Sequence, residues 1–298
     1  MNDFHTPVLL NEVLAHLQVK DGKKYIDATI GGGGHTKALL EKGAIVLGID
    51  QDQDALDHVK KNLESRIKNS ELILEKGNFR DIEKLAHLKD FTDIDGILFD
   101  LGVSSHQIDA AERGFSFLKE GPLDMRMDKD SPVTAEALVN LLGKGELYDL
   151  FNKLGQEHRA GPISNSIIRA RRIKAIQTTD ELTEVVKEAY GIKGELSVYA
   201  KTNINKRVFQ ALRIAVNDEL KSLEEALPKA LGLLRSGGRI AVISFHSLED
   251  GIVKRAFKDF ERKNMGSIIT EKPIEATNDE IRRNSRSKPA KLRVFAKN

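Results

Sequence analysis

Tyr25-Ile26-Asp27-Ala28-Thr29-Ile30-Gly31-Gly32-Gly33-Gly34-His35-Thr36-Lys37-Ala38-Leu39-Leu40 reads as an apolar strand, a glycine turn and a helix. Glycines let backbone pass close to a ligand, because no Cβ intrudes. Strand, glycine turn and helix is the layout of a nucleotide-type cofactor site. The next apolar stretch, Ala44-Ile45-Val46-Leu47-Gly48-Ile49, ends in Asp50. That carboxylate lies about 20 residues beyond the first glycine, the offset expected of a ribose-hydroxyl acceptor.

Outward from this core, strand and helix alternate. Ala55, Leu56, Val59, Leu63 and Ile67 recur at helical spacing. Leu72-Ile73-Leu74 reads as a third strand and Asp95-Gly96-Ile97-Leu98-Phe99-Asp100 as a fourth, again closing on an acid. Such alternation predicts a doubly wound parallel sheet. Between residues 107 and 205 the strand series stops and helix signals take over. Among them is the capping box Thr178-x-x-Glu181 before Leu182, Val185, Val186 and Ala189. The sheet pattern then resumes. Val208 to Leu227 marks one long amphipathic helix, and Pro228 opens the next. A turn at 235–238 leads into the buried strand 239–245, and Ser247-x-x-Asp250 caps the helix after it. Stretches 267–270 and 292–295 form a terminal antiparallel pair at the sheet edge. The expected division is 1–106 with 206–298 for the sheet domain, and 107–205 for an inserted helical domain.

The 298 residues hold 40% apolar and 31% charged side chains, a composition that supports a globular core. No stretch approaches a membrane span of about 20 apolar residues. Asp3 and Glu12 stand where a signal peptide would be basic and apolar, so the expected location is cytoplasmic. The absence of cysteine excludes disulfides, thiolate metal sites and a cysteine nucleophile. The net charge is only +2, but basic residues cluster. One group is Arg159, Arg169, Arg171, Arg172 and Lys174; the other is Arg282, Arg283, Arg286, Lys288, Lys291, Arg293 and Lys297. Phosphate binding and a solvated face are both open readings of these clusters.

The glycine register differs from a standard G-x-G-x-x-G, so the fourth strand separates the candidates. It leads into Asp100-Leu101-Gly102-Val103-Ser104-Ser105. An acid there adjoins the reactive end of the cofactor in class I methyltransferases, and hydride transfer has no need of it. Further motifs run through most of the chain. They are His5-Thr6-Pro7-Val8-Leu9-Leu10, Glu112-Arg113-Gly114-Phe115-Ser116-Phe117, Gly121-Pro122-Leu123-Asp124-Met125-Arg126-Met127-Asp128, Phe209-Gln210-Ala211-Leu212-Arg213-Ile214 and Ser244-Phe245-His246-Ser247-Leu248-Glu249-Asp250. With these the chain resembles the RsmH/MraW family of bacterial ribosomal RNA cytosine-N4 methyltransferases.

The resemblance implies an α/β class I (Rossmann-like) methyltransferase sheet with an inserted helical domain. It implies S-adenosylmethionine (AdoMet) as methyl donor and a 16S rRNA cytidine near the decoding site of the small ribosomal subunit as acceptor. A homodimer is compatible with it. By the same resemblance Gly33, Gly34, His35, Asp50, Phe79, Asp100 and Gln107 hold the cofactor. His106 stands where proline is usual, and residues 157–166, 201–206 and 284–289 depart from the common form. Those departures bear on RNA affinity or substrate fit.

Cytosine N4 is a poor nucleophile because its lone pair is delocalised into the ring. A carboxylate accepting an N4–H localises that lone pair, which makes Asp100 the candidate catalytic group. A pure cofactor contact is the other reading of Asp100. His246, the second candidate catalytic residue, faces the target base or a phosphate, or else caps the helix it precedes. Phe79 lies against adenine or in the core, and Gln107 contacts the methionine portion or caps a turn. Phe115 and Phe117 either wall the base or anchor the insertion to the sheet; Met125 and Met127 pack in the core, while Asp124 and Arg126 fix their loop. Arg169, Arg171, Arg172, Lys174, Arg282, Arg283 and Arg286 are the candidate RNA contacts. No metal is required. Ring-C5 methylation by the usual route needs a thiolate, so the cysteine-free composition favours the amine acceptor independently. A catalytically silent ribosome-assembly factor, a methyltransferase of another nucleic-acid amino group and a nicotinamide-dependent dehydrogenase are the alternatives.

Overall fold

The computed structural model describes residues 7–298, so His5 and Thr6 of the first motif lie outside the described residues. The chain divides into two units, Met1–Ser104 with Leu220–Asn298, and Ser105–Glu219. The border expected at 205/206 falls inside the helix Val198–Asn217, which continues unbroken in the second unit.

Among the described residues the first unit is built on eight strands: β1 Lys24–Asp27, β2 Ile45–Asp50, β3 Leu72–Lys76, β4 Ile94–Asp100, β5 Leu234–Ser244, β6 Gly266–Ile268, β7 Ile274–Glu275 and β8 Lys291–Lys297. Their order is β3-β2-β1-β4-β5-β8-β6, with β7 also on β8. The first five are mutually parallel, whereas β8 runs antiparallel to β5, β6 and β7. Side chains of a strand alternate between faces, and a parallel sheet needs cover on both. Ile97, Phe99, Ile240 and Val242 accordingly meet the helices Glu219–Leu233 and Ser247–Arg262. Leu98, Ala241 and Ile243 share the opposite core with residues of Leu10–Leu17 and Gly34–Glu41. The carboxyl ends of β1, β2 and β4 carry Asp27, Asp50 and Asp100. Ligands of open α/β sheets bind at that edge.

Several local expectations change. The long helix over 208–227 is two helices, Val198–Asn217 and Glu219–Leu233, broken where Asp218 turns left-handed at φ 49°. Apolar periodicity continues across such a break and does not register it. Pro228 lies inside the second helix rather than at its start. It and Glu224, one turn earlier, are exposed, so the lost helical bond faces water. The turn at 235–238 is a bulge in β5: Ile94 pairs with Leu234 but Gly96 with Arg239. Strand β7 carries too few residues for a sequence signal.

The second unit is helical. Leu147, Phe151, Ile163, Ile167, Leu182, Val186, Val208 and Leu212 are buried along its helices. The Thr178–Glu181 capping box forms as expected. Residues 113–131 form a loop tied by side-chain hydrogen bonds. Arg126 is bidentate to Asp124 and donates to the carbonyls of Lys129 and Ser131. Asn217 accepts from the Met127 amide and donates to the Met125 carbonyl, both at 2.8 Å. Met125 and Met127 are buried. Phe117 packs edge-on against Phe209 of this unit's own helix, at 5.3 Å between centroids.

Candidate active site

The glycine run turns tightly between β1 and the helix Gly34–Glu41. Gly31 and Gly33 have φ of 48° and 78°, a region that side chains with a Cβ disfavour. The Gly33 amide closes a turn onto the Ile30 carbonyl at 2.8 Å. The Gly31 amide donates to Asp50 Oδ2 at 2.8 Å, and the Asp52 amide to Asp50 Oδ1 at 2.9 Å. Asp50 therefore ties the glycine turn to the end of β2. Each of its oxygens has two acceptor sites, so one backbone bond apiece leaves capacity for a pair of ribose hydroxyls. Burial raises the Asp50 carboxyl to about 6, against the lowering effect of those amides.

Asp27 is fully buried at the end of β1. Thr36 Oγ1 donates to its Oδ2 at 2.7 Å, and the Thr29 amide to Oδ1 at 3.3 Å. Thr29 Oγ1 in turn accepts the Asp100 amide at 2.7 Å. This chain of contacts fixes the end of β4 relative to the helix Gly34–Glu41. Desolvation lifts Asp27 to about 6. Sequence reading assigned Asp27 no role; an acid closing a buried strand, nine residues before a threonine on the following helix, was its signal.

Asp100 closes β4 with Oδ1 buried and without a hydrogen-bond partner among the described residues. Its Oδ2 lies 3.4 Å from His35 Nδ1. Burial, then the charges of Asp27 and Glu249, raise its carboxyl well above the usual range. A buried polar atom without a partner is costly and calls for a ligand or water.

His35 and Asp50 thus converge with Gly31, Gly33 and Asp100 on one edge of the sheet. Phe79 follows β3 and packs edge-on against Phe99 at 5.7 Å, which favours the core reading while leaving it part-exposed. Gln107 lies buried on the helix Ser105–Asp109 of the second unit.

His246 is the N-cap of the helix Ser247–Arg262, one residue earlier than the cap read from sequence. Its Nδ1 accepts the Glu249 amide at 3.4 Å, while Glu249 Oε2 accepts the amides of Phe245 and His246 at 2.7 and 3.3 Å. The box is therefore His246 with Glu249, not Ser247 with Asp250. Asp250 is instead the partner of Arg293.

The basic clusters divide in the same way. Arg169 binds Glu188 at 2.7 Å, Lys174 binds Glu181, and Arg171 holds the Val139 carbonyl at 2.7 Å. Arg172 is exposed and makes no ion pair among the described residues. In the tail Arg282 pairs loosely with Asp279 at 3.4 Å, and Arg283 and Arg286 are exposed. Arg293 is buried, and Lys297 donates to the carbonyls of Gly232 and Leu234. These last two are internal braces rather than a phosphate grip. Charge counting registers the cations but not the acids and carbonyls that the fold brings to them.

The chain is 44% identical to Ribosomal RNA small subunit methyltransferase H of Carboxydothermus hydrogenoformans, over 98% of this chain and 97% of that protein. It is 43% identical to the protein of the same name from Halothermothrix orenii, over 97% of each. It also aligns with an rRNA methylase structure from Streptococcus thermophilus at 13% identity and a TM-score of 0.46, covering 98% of both chains. A model of the MraW methylase family matches residues 2–298, and the chain belongs to that family.

Proposed function

We propose that this chain methylates the exocyclic N4 of a cytidine in 16S rRNA near the decoding site, using AdoMet, within the small ribosomal subunit. The carrying observation is the buried Asp100 carboxyl at the carboxyl edge of the sheet, whose Oδ1 lacks a partner among the described residues. The donor set suits AdoMet: spare acceptor sites on Asp50 for ribose hydroxyls and a glycine turn free of Cβ atoms. When bound, AdoMet supplies an electrophilic methyl on a sulfonium. Asp100 accepts an N4–H, localises the nitrogen lone pair and stabilises the positive charge that develops there. The glycine turn and Asp50 fix the donor's orientation, and the helical unit recognises RNA. The target base must leave its stack to react. The same reading puts the enzyme in the cytoplasm with ribosomal particles and allows a homodimer, which light scattering would reveal.

The cofactor test is direct. AdoMet should raise the melting temperature and NAD should not; the reverse would favour a dehydrogenase. Labelled methyl should then enter 16S rRNA of small subunits. Subunit binding without label would indicate a silent assembly factor.

Asp50 adds a pH dependence. Its carboxyl sits near pH 6 in the free protein. Ribose hydroxyls prefer the ionised form as acceptor, so AdoMet affinity should fall as pH drops through about 6. Calorimetry across that window checks this, and Asp50→Asn should flatten the dependence.

The cations make different predictions. Arg172→Ala should weaken rRNA binding and reduce the salt slope by about one phosphate contact. Arg171→Ala removes the brace on Val139 and should lower the melting temperature instead. Equal loss of RNA affinity in both would assign Arg171 to the RNA as well.

A further inference from the structure

Resting on that reading, we propose that His35 is the proton outlet of Asp100. The N4 proton enters the carboxyl at Oδ1 while the proton on Oδ2 passes to His35 Nδ1. Three observations carry this. First, His35 Nε2 is 3.0 Å from the Val8 carbonyl oxygen, which only accepts, so Nε2 holds a proton. Second, in the neutral ring Nδ1 is then an acceptor, yet it faces another acceptor, Asp100 Oδ2, at 3.4 Å. Two acceptors at that distance in a buried site call for one proton between them. Third, among the described residues Asp100 Oδ1 is the oxygen without a partner, so the two ends of the carboxyl have different surroundings.

In the relay that shared proton rests on Asp100. Asp27 on β1 and Glu249 on the helix Ser247–Arg262 both oppose a negative charge there, and burial opposes it more. A neutral Asp100 raises a difficulty for the chemistry, because a protonated acid is a poor proton acceptor. A relay resolves it. Methyl transfer forms the N4–C bond, breaks the sulfonium C–S bond, leaves that electron pair on sulfur and releases one N4 proton. Asp100 gains this proton at Oδ1 and gives its own from Oδ2 to His35, so it stays neutral throughout. The positive charge ends on the imidazolium, between Asp100 and the Val8 carbonyl. Val8 is itself anchored: the next amide, that of Leu9, donates to Glu280 Oε1 at 2.7 Å. His35 acts through Asp100 and is a positioning residue for its proton.

The pair is tested first without substrate. Nitrogen NMR of the labelled histidines in the free protein, with His35 assigned by its loss in His35→Asn, should show a neutral ring protonated at Nε2 at neutral pH. An imidazolium at that pH would mean that Asp100 is already ionised, and would overturn the relay. Failure of methyl transfer to rRNA would defeat the functional reading without touching this result.

The second arm is kinetic. In wild type, turnover should fall at low pH as His35 fills. His35→Asn leaves a side chain that can contact Asp100 but cannot take its proton. Asp100 must then ionise unaided, so the acid limb should move to higher pH. Turnover at neutral pH and saturating AdoMet should drop at least about tenfold, the scale of lost proton-transfer assistance. An unmoved pH profile, or a loss confined to AdoMet binding, contradicts the relay. Should His35→Asn fail to fold, sequential resonance assignment of the wild-type protein identifies the His35 ring, and its NMR state still decides.

Discussion

Asp100→Asn is expected to lower the rate of methyl transfer by about a hundred- to ten-thousand-fold, the range for losing a positioned proton acceptor. The carboxamide matches the carboxyl in size and keeps an acceptor oxygen. It should therefore still hold the end of β4, whose backbone contact is the Asp100 amide to Thr29 Oγ1. What it loses is the ability to take a proton at Oδ1 and release one from Oδ2. The prediction separates two roles that share one residue. If Asp100 handles the N4 proton, single-turnover rates at saturating AdoMet collapse while cofactor affinity changes much less. If Asp100 serves only to bind the cofactor, affinity falls and the saturated rate survives. Calorimetry for affinity and a rapid-quench assay for the chemical step distinguish these outcomes.

Arg293→Ala is the substitution expected to cost most stability, about 3–5 kcal/mol, the penalty for removing one partner of a buried ion pair. Arg293 on β8 is 7% exposed. Its Nε donates to Asp250 Oδ1 at 2.6 Å and its Nη2 to Oδ2 at 3.2 Å. The pair joins the antiparallel strand β8 to the helix Ser247–Arg262. Alanine leaves the Asp250 carboxylate without its counter-charge and opens space beside it. Thermal or urea unfolding measures the loss. Replacing both partners by apolar residues of similar volume should recover much of it, because the desolvation cost of the two charges disappears with them. A single-variant loss below about 1 kcal/mol would match an exposed pair and contradict this account.

The parts legible in sequence are those that local chemistry dictates. Four glycines between an apolar strand and a helix can do little except turn and admit a ligand. Asp50 stands at a distance that the strand-helix-strand unit fixes. Both lie where the alternation of elements puts them, and the antiparallel β6–β8 pair was legible from two β-rich stretches. The capping box at Thr178–Glu181 formed because every atom it needs lies within four residues.

The parts that were not legible depend on which residues the fold brings together. Arg293 and Lys297 looked like members of a basic tail until β8 carried them to other partners, one to Asp250 and the other to the carbonyls of Gly232 and Leu234. Arg169, Arg171 and Lys174 looked available until neighbouring helices supplied an acid or a carbonyl to each. His35 was read as part of the cofactor cradle; the reach of its ring from Val8 to Asp100, residues 27 and 65 positions away in opposite directions, had no signal in the sequence. His246 shows the reverse case. A residue in a family-specific motif proved to be the cap of its own helix, because Glu249 three positions on completes the box.

The central claim is that a cytidine amine receives the methyl group. Small ribosomal subunits lacking the modification should be incubated with the enzyme and methyl-labelled AdoMet, and the 16S rRNA digested to nucleosides. The account predicts label in N4-methylcytidine; label on ring C5, on ribose or on adenosine would contradict it.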